Sequence, residues 1–177
     1  MYIGRRKMLM AGLVAALATT MSVGYAEDEV VLEPSADGEE MIVISLGSNP
    51  RKDPEPACVA LQIGMNLLMD DLNGANDGGE VIPADRVILF ATLDGVELVA
   101  PDNNFSKKKY NCLTPDGEKP LSGLLSKFVE VMGGEVVVCP LCWAERGYAG
   151  TAPTYGVVAN AFEIHDLFLT ADKVIGF

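Results

Sequence analysis

Leu121 to Gly147 reads LSGLLSKFVEVMGGEVVVCPLCWAERG. Leu121, Leu124, Leu125, Phe128 and Met132 recur at helical spacing on one face, and Gly133-Gly134 ends the helix they describe. The third strand follows at once, carrying the short apolar run Val136-Val137-Val138, and Cys139-Pro140-Leu141-Cys142 opens a second helix. Pro140 suits a first helical position, which makes Cys139 the N-cap. A helix start presents unpaired backbone N–H groups and the positive end of the macrodipole, so a sulfur held there is favoured as thiolate, the form that attacks and binds metals. Helix, strand and helix in so short a span, with two thiols at the strand-to-helix junction, set the fold and the chemistry together.

Working outward, the same alternation continues. Met41 to Leu46 is a continuous apolar run bounded by Gly47, as expected of a strand covered on both faces. Ala57 to Leu72 has helical spacing and Asn73-Gly74 stops it. Arg86 to Thr92 is a second buried strand, and Asp94-Gly95 to Pro120 reads as a long loop. After the Cys139 helix come a short strand at Gly156 to Val158, a helix from Ala161 to Leu169 and a last strand from Lys173 to Phe177. This order predicts an α/β fold: a three-layer α/β/α arrangement, flavodoxin- or Rossmann-like, with a mostly parallel sheet of about five strands and right-handed crossovers. In such sheets the strand-to-helix loops collect beyond the carboxyl ends of the strands. Cys58 follows strand one, Cys112 strand two, and Cys139 with Cys142 strand three, so all four cysteines are expected on one edge of the sheet.

The first residues read as an export signal. Arg5-Arg6-Lys7 is a positive n-region, Met8 to Ala18 is apolar, and Gly24-Tyr25-Ala26 offers small residues for cleavage after Ala26. The paired arginines leave the Sec and twin-arginine routes both open. The apolar run falls short of the roughly 20 residues that cross a bilayer, so no permanent membrane anchor is expected. Without residues 1–26 the chain keeps 10 Lys/Arg against 25 Asp/Glu, a formal charge of −15, and so acidic a surface excludes nucleic acid as a partner. Residues 27–40 are acidic, contain Pro34 and Gly38, and read as a flexible lead-in to one domain over 41–177. The expected location is the periplasm.

The thiol pair admits several readings. A structural zinc site needs more than one C-x-x-C, and Cys58 and Cys112 could complete a four-thiolate zinc or copper site with Cys139 and Cys142. Covalent haem is disfavoured because Trp143, not His, follows Cys142. Thiol–disulfide exchange uses the same motif in an exported protein, although here the motif comes after three strands. Cys58 and Cys112 could equally form a plain structural disulfide, provided their Cα atoms lie within about 7 Å.

Val136-Val137-Val138-Cys139, the Arg146-Gly147 that follows, and the closing Ala171 to Phe177 together resemble the DsrE/DsrF-like family of sulfur-relay, TusD-like proteins. The resemblance spans most of Met41 to Phe177 and points to an exported member. It implies that Cys139 carries sulfane sulfur as a persulfide and that Arg146 stabilises anionic sulfur; Cys142 is not part of the simplest relay pattern, and its place in the motif lets it assist or resolve that persulfide. It also implies a sulfur donor or acceptor, either a protein or a small sulfur species, a homo-oligomer, and no resident cofactor. Lys107-Lys108-Lys109 precedes Cys112 in the loop expected over the site, so Lys108 and Cys112 are candidate substrate-binding residues, against the plainer reading of a solvated loop tip. His165, the lone histidine, reads as a surface residue. Leu46-Gly47-Ser48-Asn49-Pro50 lacks the spacing and lysine of a phosphate-binding loop.

Overall fold

The computed structural model describes residues 39–69 and 83–177. The export signal, most of the lead-in, and the expected helix end at Leu72 and Asn73-Gly74 lie outside the described residues. Five strands, β1 (Met41–Leu46), β2 (Arg86–Ala91), β5 (Glu135–Val138), β6 (Val157–Val158) and β7 (Lys173–Gly176), form one parallel sheet in the order β6-β5-β2-β1-β7. This is the expected α/β fold. Sheet residues alternate between two cores. Ile42, Ile44, Leu46, Val87, Leu89, Val136 and Val138 face helices α1 (Glu55–Leu67) and α2 (Leu121–Ser126), the latter extended by one π turn over Lys127–Val131. Met41, Val43, Ile88, Phe90 and Val137 face α4 (Ala161–Thr170) through Leu167. Asn160 starts α4 by a capping box, accepting from Phe162 and Glu163 N–H while the Glu163 carboxylate receives its own N–H. Among the described residues no helix is long and apolar enough to cross a membrane.

The stretch from Asp94 to Pro120, expected as loop, contains structure. A 3₁₀ segment runs over Leu93–Val99, and β3 (Asn111–Thr114) pairs antiparallel with β4 (Gly117–Pro120). Its turn is Thr114-Pro115-Asp116-Gly117, with Gly117 at φ +98°. Proline, aspartate and a left-handed glycine are a hairpin signal that the polar composition of the stretch masks. The 3₁₀ segment presses on the end of β1 at Gly95, where a Cβ would stand 2.0 Å from the Leu46 carbonyl oxygen. Only glycine allows that approach.

The sheet register sets the working edge. Leu46 pairs with Ala91, Ala91 with Val138 and Val138 with Val158, so the carboxyl ends of four strands form one row. The ladder runs on one residue further: Thr92 N–H donates to Leu46 O at 3.0 Å, Cys139 N–H to Ala91 O at 2.9 Å and Ala159 N–H to Val138 O at 3.1 Å. Thr92 and Cys139 are thereby held side by side by backbone alone.

Candidate thiol site at the carboxyl edge

Cys139 caps α3 (Pro140–Glu145), and Cys142 lies one turn on, so the two side chains share a face. Their Sγ atoms are 2.9 Å apart, close enough to share a proton. Cys142 is buried at 8 % exposure while Cys139 is partly exposed, which makes Cys139 the outer sulfur and Cys142 the inner one. Two groups from the end of β2 meet the inner sulfur: Leu93 N–H donates to Cys142 Sγ at 3.1 Å, and Thr92 Oγ1 lies 3.6 Å from it. Leu93 is the one non-glycine residue with positive φ among the described residues, at +47°. Trp143 anchors α3 from within the core, donating from Nε1 to Thr151 O at 3.0 Å and stacking at a tilt on Tyr148.

Burial pushes the Cys139 thiol above its ordinary value, and the adjoining Cys142 side chain pushes it further; the Cys142 backbone N–H and the Thr92 hydroxyl act more weakly in the opposite direction. The expected stabilisation of a Cys139 thiolate by the helix start is therefore present in kind, and desolvation outweighs it.

A charged network clamps the 3₁₀ segment beside the pair. Asp94 is ion-paired with Arg146 and accepts from Asn49 at 3.3 Å; Glu97, 13 % exposed, accepts from Arg51 Nε at 2.6 Å and from the Tyr148 hydroxyl at 3.0 Å. Arg51 also reaches Asp102 at 2.6 Å. Arms from the β1–α1 loop and from the end of α3 thus converge on the segment that presents Leu93. Arg146 lies in this clamp: among the described residues its ion pairs go to Asp94 and Glu97, and it makes neither a hydrogen bond nor an ion pair with either sulfur.

The other two cysteines are elsewhere in chemistry. Cys58 on α1 and Cys112 on β3 form a disulfide with Cα atoms 5.4 Å apart, and both residues are buried. This corrects two expectations. Cys112 has no free thiol with which to bind a substrate, and a four-thiolate zinc or copper site of Cys58, Cys112, Cys139 and Cys142 is lost because a disulfide sulfur is not a thiolate ligand. Among the described residues no cluster of three or more His, Cys, Asp or Glu side chains is placed to hold a metal ion. Lys108 is exposed in a short 3₁₀ turn over Lys108–Tyr110 that leads into β3, and among the described residues no hydrogen bond or ion pair joins it to the thiol pair. Its neighbour Lys109 sits over the Tyr110 ring, 4.4 Å from the centroid. His165 is exposed beside Asp166.

Sequence reasoning missed Thr92, Leu93, Asp94 and Glu97 as parts of this site. No pattern marks a leucine that will adopt positive φ, whereas Thr92 was findable as the residue that follows a buried strand on the edge carrying Cys139.

Solved structures include one similar in fold: the crystal structure of the YchN protein from E. coli, 18 % identical, covering 78 % of this chain and 99 % of that one with a TM-score of 0.52. No curated protein matches the chain. The family model described as DsrE/DsrF-like matches residues 56–177, which takes in α1, the disulfide, the whole 3₁₀ segment and the thiol pair. The chain belongs to the DsrE/DsrF-like family.

Proposed function

We propose that this protein handles sulfane sulfur in the periplasm, accepting it as a persulfide on Cys139. The observation that carries the reading is the position of Cys139: it is the outer, partly exposed sulfur at the carboxyl edge of a parallel sheet, where ligands of such folds bind, in a chain of a sulfur-relay family. Transfer from thiosulfate would join the sulfane sulfur to the Cys139 thiolate and release sulfite. Leu93 and Leu141, 62 % and 75 % exposed, follow Thr92 and precede Cys142 in the chain and give the site an apolar rim suited to a carrier protein or an uncharged sulfur species. Arg146 contributes through Asp94, steadying the 3₁₀ segment, in place of direct contact with sulfur. The buried Cys58–Cys112 disulfide suits an oxidising compartment, as does the export-type beginning of the chain. Self-association belongs to the same reading, because α4 and the edge strand β7 leave Phe162, Leu169 and Val174 exposed.

The test is intact mass after incubating residues 27–177 with thiosulfate or polysulfide. One added sulfur is expected on Cys142→Ser and none on the paired Cys139→Ser, Cys142→Ser variant; an addition that survives loss of Cys139 overturns the assignment. The 2.9 Å separation of the thiols favours a second reading, thiol–disulfide exchange. That reading requires a Cys139/Cys142 reduction potential in the range of known exchangers.

A further inference from the structure

A simple carrier needs one sulfur, and this site has two, with a backbone N–H given to the one that is hidden. Leu93 N–H is directed at Cys142, and the Thr92 hydroxyl lies 3.6 Å from the same sulfur while bearing on Cys139 as well. The backbone that delivers the N–H is unfavourable in isolation: a leucine at φ +47° is in the left-handed region, which costs about 1–2 kcal/mol for a residue with a Cβ. Such a conformation persists only where its surroundings over-determine it, and here they do. Gly95 is wedged against the Leu46 carbonyl, Asp94 is paired with Arg146, and Glu97 is held by Arg51 and Tyr148. The result is a fixed donor that holds a buried sulfur in place 2.9 Å from Cys139 Sγ.

We propose that Cys142 is the resolving cysteine of this site: it attacks Cys139 Sγ of the loaded persulfide and expels the carried sulfur as hydrosulfide, with Leu93 N–H and the Thr92 hydroxyl as the positioning groups for the attacking thiolate. This rests on the persulfide reading above and assigns the direction of its chemistry. The Cys142 thiolate gives an electron pair to Cys139 Sγ, forming a Cys139–Cys142 disulfide. The bond from Cys139 Sγ to the outer sulfur breaks, and the outer sulfur leaves with the electron pair of that broken bond and the persulfide proton as HS⁻. The sulfane sulfur is reduced by two electrons and the two cysteines are oxidised by two. A further turnover needs an external dithiol to reduce the new disulfide. The geometry is already close to this product, since the two sulfurs need to approach by less than one ångström from 2.9 Å to reach the roughly 2.05 Å of a disulfide.

Residues 27–177, with the Cys58–Cys112 disulfide intact, are mixed with one equivalent of inorganic tetrasulfide, and sulfide and intact mass are followed after blocking free thiols. The native chain is expected to release one equivalent of sulfide beyond that seen with Cys142→Ser and to finish with Cys139 and Cys142 unblocked and joined; Cys142→Ser is expected to keep one added sulfur. If the native chain keeps its added sulfur with Cys142 still blockable, resolution by Cys142 is wrong while the persulfide reading stands. If Cys142→Ser and Cys142→Ala both fail to take up sulfur, the persulfide reading itself falls. Thr92→Val is expected to slow sulfide release about tenfold relative to the loading rate of the same variant, the order of effect of one hydrogen bond to a charged group. Equal release rates would remove Thr92 from the positioning role.

Discussion

Cys58 and Cys112 lie 54 positions apart in the chain and are joined; Cys139 and Cys142 lie three apart and are not. The first pair is enclosed where α1 meets β3, at 5 % and 1 % exposure, with no hydrogen-bond donor directed at either sulfur among the described residues. The second stands at the end of a strand, one sulfur open and the other fed by a strained backbone N–H. One bond fastens the hairpin to the helix and has no route to a partner. The other pair keeps its thiols near bonding distance and leaves one reachable. The difference shows that burial and donor placement, not the presence of cysteine, separate a staple from a reagent.

Three measurements sharpen or break this contrast, the largest effect first. Under native reducing conditions a small alkylating reagent is expected to modify Cys139 first and to leave Cys58 and Cys112 untouched until denaturant is added; mass mapping of blocked cysteines reads this, and early labelling of Cys112 would dissolve the distinction. Removing the staple by a paired Cys58→Ala and Cys112→Ala exchange should cost up to about 4 kcal/mol on the chain-entropy estimate for a loop of this length, read from urea unfolding, while sulfur loading of the folded fraction at Cys139 is retained. The smallest effect is in pH. Because burial and then Cys142 raise the Cys139 thiol, its thiolate fraction at a given pH is below that of a free cysteine, so the alkylation rate should rise with pH through a midpoint above the ordinary thiol value. Cys142→Ser removes the second of those causes and should move the midpoint down; an unchanged midpoint would mean that the two sulfurs do not interact.

The fold was legible because its signals are redundant. Largely apolar runs at Met41–Leu46, Arg86–Ala91 and Glu135–Val138, separated by helical patterns, admit few arrangements besides a parallel sheet. Cys139 was legible for the same reason, since the register that places it is a property of its strand. Giving all four cysteines one possible chemistry went too far. The stretch from Asp94 to Pro120 folds into a 3₁₀ segment and a hairpin, and the hairpin takes Cys112 to α1, a tertiary pairing that spacing does not encode. Arg146 was assigned to sulfur by the family resemblance, but its ion pairs go to Asp94 and Glu97, which composition alone presents as ordinary acids. Leu93 carries no local signature, because its conformation is imposed by contacts from three other segments.

The ladder that runs one residue past the strand ends has a consequence for how the site can fail. Thr92 and Cys139 owe their juxtaposition to main-chain bonds with Leu46 and Ala91, so the relation between donors and thiols is inherited from strand register. A slip of β5 by one residue against β2 would turn the cysteine to the opposite face and separate the thiol pair from Thr92 and Leu93 together. Partial damage to this chemistry by loosening of the sheet is therefore not available to the molecule, and the rate at which Cys139 reacts becomes an internal gauge of whether its central strands are in step.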